Sequence, residues 1–157
     1  MGFWPGGDRD GNPFVTSEIT MAVAQRLKHS IVRKYLDDVK WLKKRLTFRD
    51  VEPKVEKLTM MLEAILNDAN SDFFALQEIR DLLKNIKATL IEEHQSLFLD
   101  DVQNLINKVY LFGLHFASLD IRQDSRVIER VFQDIVKANG IDIEKNGLIP
   151  YYCRIYY

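Results

Sequence analysis

The chain has 157 residues, of which 46% are hydrophobic and 29% are charged, and its formal net charge is −1. This length fits one domain with a hydrophobic core, and the balanced charge excludes the basic field that attracts nucleic acid or an anionic membrane. A lone cysteine, Cys153, excludes an internal disulfide and favours a cytoplasmic compartment, and no apolar run reaches the roughly 18 residues of a transmembrane helix.

The glycines are distributed unevenly. Four of the seven lie within the first eleven residues, and the next one along the chain is Gly113. All-β sandwiches and barrels need turn residues about every ten positions, so this distribution argues against both. We predict an all-α fold, a bundle of about five helices with one short strand near residues 115–122.

Three helices are predicted in the first two thirds of the chain. Apolar residues recur at spacings of three and four over residues 17–47, which predicts a long amphipathic helix capped by Thr16 or Ser17. Pro53 suits the first turn of a second helix. A polar break follows, and Ser71 is suited to cap a third helix.

The fourth helix and the strand come next. Asp100 or Asp101 is predicted to cap the helix, and Gly113 is a plausible stop signal. Residues 115–122 lose the helical period, and their apolar residues suit a short, largely buried strand.

A fifth helix and an irregular tail complete the prediction. Asp124 or Ser125 can cap the helix, and Asn139-Gly140 can end it. Residues 1–146 are then one helical domain, and residues 147–157 are a tyrosine-rich tail without a helical period. A docked segment and a non-native end both fit this tail.

The first candidate site is the glycine-rich loop before the long helix. Its predicted residues are Gly6, Gly7, Asp8, Arg9, Asp10 and Asn12. Glycines allow a close backbone approach, a helix N-terminus offers N–H groups to an anion, and arginine adds a charged fork. The alternative is a tight Asx-turn with an internal ion pair. A calcium loop is rejected, because Pro13 and Ile19 occupy positions that require glycine and glutamate.

The second candidate site lies at the end of the predicted strand. Arg122 is suited to bind an anion, and Asp120 or Gln123 could orient it. The alternative is a buried ion pair between strand and helix, for which Asp120, Asp124 and Glu129 are available. The three histidines show no metal-ligand spacing, so no metal site is predicted.

These two segments resemble the phosphoenolpyruvate carboxylase family. GGDRDGNPFVT at 6–16 is similar to that family's GGDRDGNPxVT signature, and LDIRQDS at 119–125 is similar to its LDIRQES. The similarity suggests an internal fragment or truncated homologue of a larger α/β-barrel lyase. That lyase converts phosphoenolpyruvate and bicarbonate to oxaloacetate and phosphate with Mg²⁺ or Mn²⁺. By resemblance, Arg122 contacts the substrate phosphate, and the loop around Arg9 has a positioning role.

The resemblance also implies that this chain alone is incomplete. The family's catalytic histidine precedes the matched slice, and its metal ligands follow it, so we expect no catalytic centre and no bound metal here. Where the family often has Thr-Arg-His after the second motif, this chain has Arg126-Val127-Ile128. A non-catalytic helical interaction module is the alternative function. Self-association through surface exposed by truncation is a further expectation.

Overall fold

The computed structural model describes residues 2–10, 12–67 and 72–140, and it divides into two compact units. The described helices are α1 (Ser17–Lys43), α2 (Glu52–Asn67), α3 (Asp72–Glu93), α4 (Leu99–Phe112) and α5 (Ser125–Ala138). Strands β1 (Gly2–Phe3) and β2 (Ser118–Leu119) form a two-stranded sheet. The prediction of an all-α protein with about five helices is therefore confirmed. None of the described helices is both long enough and apolar enough to cross a membrane.

The first unit, which includes Met21–Ser118, contains the hydrophobic core. Each of the four helices α1 to α4 contributes an apolar stripe at helical spacing, as the sequence predicts. The largest fully buried side chains are Tyr35, Leu46, Leu58, Leu62, Ile79, Leu83, Ile86, Leu90 and Leu114. This burial removes apolar surface from water and is the main stabilising contribution to the unit.

A buried tyrosine joins α1 to the end of α4. The Tyr35 hydroxyl lies 2.8 Å from the carbonyl oxygen of Gly113 and 3.1 Å from that of Lys108. Gly113 ends α4, as predicted, with its N–H bonded to the Val109 carbonyl at 3.1 Å. Its φ of 54° and ψ of −137° lie in a region that favours glycine, which explains why the helix stops there.

Two helix boundaries differ from the prediction. Helix α1 ends at Lys43 rather than near residue 47, because the chain tightens there and the N–H of Arg45 donates to the Leu42 carbonyl, three residues back, at 2.9 Å. This turn directs Leu46 into the core, where it is fully buried. The N-cap of α4 is Phe98, which packs against the core, so the predicted cap at Asp100 or Asp101 is wrong. The predicted cap Ser71 lies outside the described residues.

The strand near residues 115–122 is shorter and less buried than predicted. The strand covers only Ser118–Leu119, Arg122 forms an isolated β-bridge, and Ile121 is 62% exposed. Phe116 has a left-handed φ of 66° that interrupts the extended backbone, and its ring stacks on Phe112. The partner strand β1 was not predicted, because the sequence of residues 2–15 is typical of a loop. Residues 147–157, the predicted tail, lie outside the described part.

The second unit includes Phe3–Thr20 and the chain from Leu119 onward. It holds the glycine-rich loop, the first turn of α1, the segment around Arg122 and helix α5. None of the residues of α5 is buried, although the helix is strongly amphipathic. Both candidate segments therefore belong to one compact unit.

Candidate functional site

Backbone hydrogen bonds join the two candidate segments. The N–H of Arg122 donates to the Gly7 carbonyl at 3.0 Å, and the N–H of Arg9 donates to the Arg122 carbonyl at 2.9 Å. Asp8 and Arg122 thus form a parallel β-bridge. Two motifs that are far apart in the sequence therefore become neighbours through hydrogen bonds between main-chain atoms.

Gly7 permits this close approach. A Cβ atom at this position would lie 2.4 Å from the carbonyl oxygen of Asp120, closer than any real contact. The obstruction is backbone, which cannot move aside as a flexible side chain could. The N–H of Gly7 also donates to the Trp4 carbonyl at 2.8 Å, which closes a turn before the bridge. The second glycine of the motif is therefore required by packing.

Arg9 is directed toward the first turn of α1. Its Nη2 donates to the Thr20 hydroxyl at 2.9 Å, and that hydroxyl lies 2.6 Å from the Gly6 carbonyl, to which it donates. Thr20 is buried, so this contact is shielded from water. Arg9 therefore joins the loop to the first turn of α1, and its positioning role stays a prediction.

Arg122 presents its guanidinium to solvent beside the loop. Its side chain is 52% exposed, and its Nη1 lies 4.0 Å from Asp8 Oδ2. The guanidinium carbon lies 5.5 Å from the centre of the Trp4 ring, within cation–π range. The alternative of a buried ion pair is wrong, because the guanidinium is exposed and the ion pair that it forms with Asp8 is at the distance limit.

The loop and the start of α1 contain the predicted turn and cap. Asn12 Oδ1 accepts a hydrogen bond from the Phe14 N–H at 3.0 Å, which is an Asx-turn. Thr16 Oγ1 accepts from the Ile19 N–H at 3.4 Å, in the position of an N-cap. Hydrogen bonding from Thr16, together with the backbone, lowers the pKa of Glu18 below its usual value.

The second motif also caps α5. Asp124 accepts a hydrogen bond from the Arg126 N–H at 2.8 Å, as the sequence predicts for an N-cap. The Arg126 guanidinium bonds to the same carboxylate, and these contacts lower the pKa of Asp124 to about 2. Gln123 Oε1 accepts from the N–H of Asp124 at 3.1 Å. The motif thus combines one exposed arginine with a firmly capped helix.

The remaining predicted residues have other surroundings. Asp10 is exposed on the loop, and Asp120 contributes its backbone carbonyl at the Gly7 contact. That Asp120 or Gln123 orients Arg122 stays a prediction. Sequence reasoning missed Trp4 and Thr20. The signal for Thr20 was its place one turn after the cap. The signal for Trp4 was an aromatic residue two positions before the Gly6-Gly7 pair.

The described residues of this site do not fit a Mg²⁺ or Mn²⁺ ion. Such ions need several oxygen ligands converging on one point. Among the described residues, a group of three converging metal-ligating side chains occurs at Asp50, Glu93 and His94, which all belong to the first unit. We therefore assign no metal ligand to Asp8 or Asp10.

Comparison with known proteins shows which protein family contains these two motifs. A family model described as phosphoenolpyruvate carboxylase matches residues 1–69 and 56–146, which include both paired motifs. The chain belongs to the phosphoenolpyruvate carboxylase family. No solved structure matches the chain.

Curated relatives agree with the family assignment. Phosphoenolpyruvate carboxylase of Shewanella loihica is 28% identical over 167 residues, which cover 88% of this chain and 19% of the relative. The enzyme of Aliivibrio salmonicida is 30% identical over 90% of this chain and 19% of its own length. The enzyme of Nitrosomonas eutropha is 26% identical over a match that covers 90% of this chain and 20% of the relative. The chain thus spans about a fifth of the length of these relatives.

Proposed function

We propose that the chain supplies part of the phosphate-binding site of a phosphoenolpyruvate carboxylase, in which Arg122 binds the phosphate of phosphoenolpyruvate. The observation that carries this proposal is the backbone pairing of the two signature motifs, with the Arg122 guanidinium exposed beside the loop. A planar guanidinium matches the oxygens of a phosphate and stays charged at every relevant pH.

The contacts that Arg122 makes in this structure are weak, so a phosphate can replace them. Asp8 lies at the limit of an ion pair, and the Trp4 ring contributes a weak cation–π contact. A phosphate offers two charge-assisted hydrogen bonds, which are stronger than either contact. Arg9 acts as a positioning residue, because its guanidinium already bonds to Thr20.

We further propose that the chain alone does not catalyse the family's reaction, which forms oxaloacetate from phosphoenolpyruvate and bicarbonate with Mg²⁺ or Mn²⁺. The support is its span of about a fifth of the relatives and a site without a fitting metal-ligand set among the described residues. In the intact family enzyme this carbon dioxide fixation feeds the tricarboxylic acid cycle. A cytoplasmic location follows from the same proposal.

Calorimetric titration of the purified chain with phosphoenolpyruvate tests this function. We expect weak binding that falls at least about tenfold in Arg122→Gln, since a charged hydrogen-bonding partner is lost. Arg126→Gln is the matched control, because it removes an exposed arginine from the same unit and should retain binding. Equal binding by the wild type and Arg122→Gln would overturn the proposed role of Arg122. Oxaloacetate formation by the chain would overturn its inactivity.

The exposed apolar face of α5 favours a second candidate, a non-catalytic module that pairs with another copy of the chain. The exposed side chains on this face are Val127, Ile128, Val131, Phe132 and Ile135. Light scattering should then show a dimer that Ile128→Glu dissociates, whereas a monomer at high concentration would contradict this candidate.

A further inference from the structure

Three metal-ligating side chains converge in the first unit, which does not include the residues of the proposed phosphate site. The ligand atoms of Asp50, Glu93 and His94 all lie within 4.8 Å of one another. Asp50 belongs to the linker between α1 and α2, and the other two stand at the end of α3. We propose that this cluster, the Asp50–His94 site, binds a borderline divalent transition-metal ion such as Zn²⁺.

The imidazole of His94 is already oriented toward the carboxylate. The ring stacks on Phe48 with the centroids 4.0 Å apart and an angle of 14° between the planes. Its Nε2 lies 2.9 Å from Oδ1 and 3.1 Å from Oδ2 of Asp50. Metal–ligand bonds of about 2.0–2.2 Å place neighbouring ligand atoms roughly 3 Å apart, so these atoms have the spacing that a shared ion requires.

The charge at the end of α3 favours a cation. The N–H groups of His94 and Ser96 both donate to the Leu90 carbonyl, which closes the helix and leaves its negative pole at this point. A helix usually carries basic residues there, but the last turn of α3 has none and instead contains two glutamates, Glu92 and Glu93. A bound dication would compensate this accumulation of negative charge.

The nearby cation Lys54 does not occupy the site. Its ammonium donates to the Thr89 hydroxyl at 2.7 Å, one turn before the end of α3.

The donor set indicates the class of metal. One imidazole nitrogen with two carboxylate oxygens suits Zn²⁺, Co²⁺ or Ni²⁺, whereas Mg²⁺ and Ca²⁺ prefer oxygen ligands alone. Three protein ligands leave a position for water. The ion would link the α1–α2 linker to the end of α3, a structural role independent of the phosphate site.

Titration of the chain with ZnCl₂, followed by calorimetry, tests this site in a Cys153→Ser background that removes the competing thiol. We expect one bound ion and at least about a tenfold loss of affinity in His94→Gln and in Asp50→Asn. Glu93 is exposed, so Glu93→Gln should fold normally and also bind more weakly. His29→Gln, on the exposed face of α1, is the matched control and should bind like the background chain.

Cobalt substitution supplies a second measurement. Co²⁺ should give visible absorption bands that change in Glu93→Gln and are lost in His94→Gln, while circular dichroism reports that each variant is folded. Undiminished Zn²⁺ binding by Glu93→Gln and His94→Gln, or no binding by the background chain at micromolar Zn²⁺, would overturn the proposal. Neither result bears on phosphoenolpyruvate binding at Arg122, so the two proposals fail separately.

Discussion

The absence of a side chain at Gly7 allows the two motifs to pack against each other. Its Cα faces the Asp120 carbonyl so closely that a methyl group would lie 2.4 Å from the oxygen. Gly7→Ala must therefore push the segments apart and weaken the bonds between Arg9 and Arg122. Overpacking of this kind typically costs about 1–3 kcal/mol.

Hydrogen exchange checks this prediction. The amides of Arg9 and Arg122 should exchange at least about fivefold faster in Gly7→Ala than in the wild type. Gly140→Ala is the control: a Cβ there meets nothing within 4 Å, although its φ of 61° adds some strain, and it should leave those amides unchanged. Wild-type exchange rates in Gly7→Ala would show that the close contact is absent in solution.

Asp124 provides a prediction about protonation. Its bonds from Arg126 lower its pKa to about 2 from an ordinary value of 3.8. A lowered pKa means that the ionised cap stabilises the start of α5 above about pH 4, and that this contribution is lost as the pH falls toward 2. Carboxyl chemical shifts should report a midpoint near pH 2 in the wild type.

Replacement of the partner tests the cause. In Arg126→Leu the guanidinium contacts disappear and only the backbone bond remains, so the Asp124 midpoint should rise toward its ordinary value. A midpoint that is the same in both proteins would exclude Arg126 as the cause of the lowered pKa.

At the scale of elements, Tyr35 determines how α1 meets the end of α4. Burial raises the pKa of this tyrosine, which keeps the hydroxyl protonated, so that its one proton is shared between the carbonyls of Gly113 at 2.8 Å and Lys108 at 3.1 Å. Tyr35→Phe leaves these carbonyls without that donor, at a cost of about 1–2 kcal/mol in the free energy of unfolding. Tyr110→Phe, on the half-exposed face of α4, should change it by less than about 0.5 kcal/mol.

Urea denaturation of the two variants provides the measurement. The midpoint should fall in Tyr35→Phe with an unchanged slope, because the surface exposed on unfolding is the same. Equal midpoints for Tyr35→Phe and Tyr110→Phe would contradict the role assigned to the buried hydroxyl.

The helices were predictable from the sequence because apolar residues repeat at helical spacing. The boundaries were less predictable, since they depend on tertiary contacts. Helix α1 stops early where Leu46 enters the core, and Phe98 caps α4 because its ring packs inward. The pair of β1 and β2 has two residues in each strand, too few for any alternation to be visible.

At the scale of the whole molecule, the sequence indicated the residues of the proposed phosphate site but not their arrangement. The signature strings identify Arg9 and Arg122, yet spacing alone could not show that Gly7 and Arg122 share a backbone bond. Trp4 and Thr20 were missed because their contacts, with Arg122 and Arg9 respectively, form only when the chain folds. The sequence prediction excluded a metal site on the basis of spacing between histidines, and it could not anticipate that Asp50, in the linker before α2, contacts His94 at the end of α3.

Nuclear magnetic resonance mapping of phosphoenolpyruvate binding tests the central claim, that the paired motifs form one phosphate-binding site. We predict that shift changes concentrate at residues 6–9 and 120–123, include the side chain of Arg122, and disappear in Arg122→Gln. Changes that lie elsewhere, or that persist in Arg122→Gln, would contradict the claim.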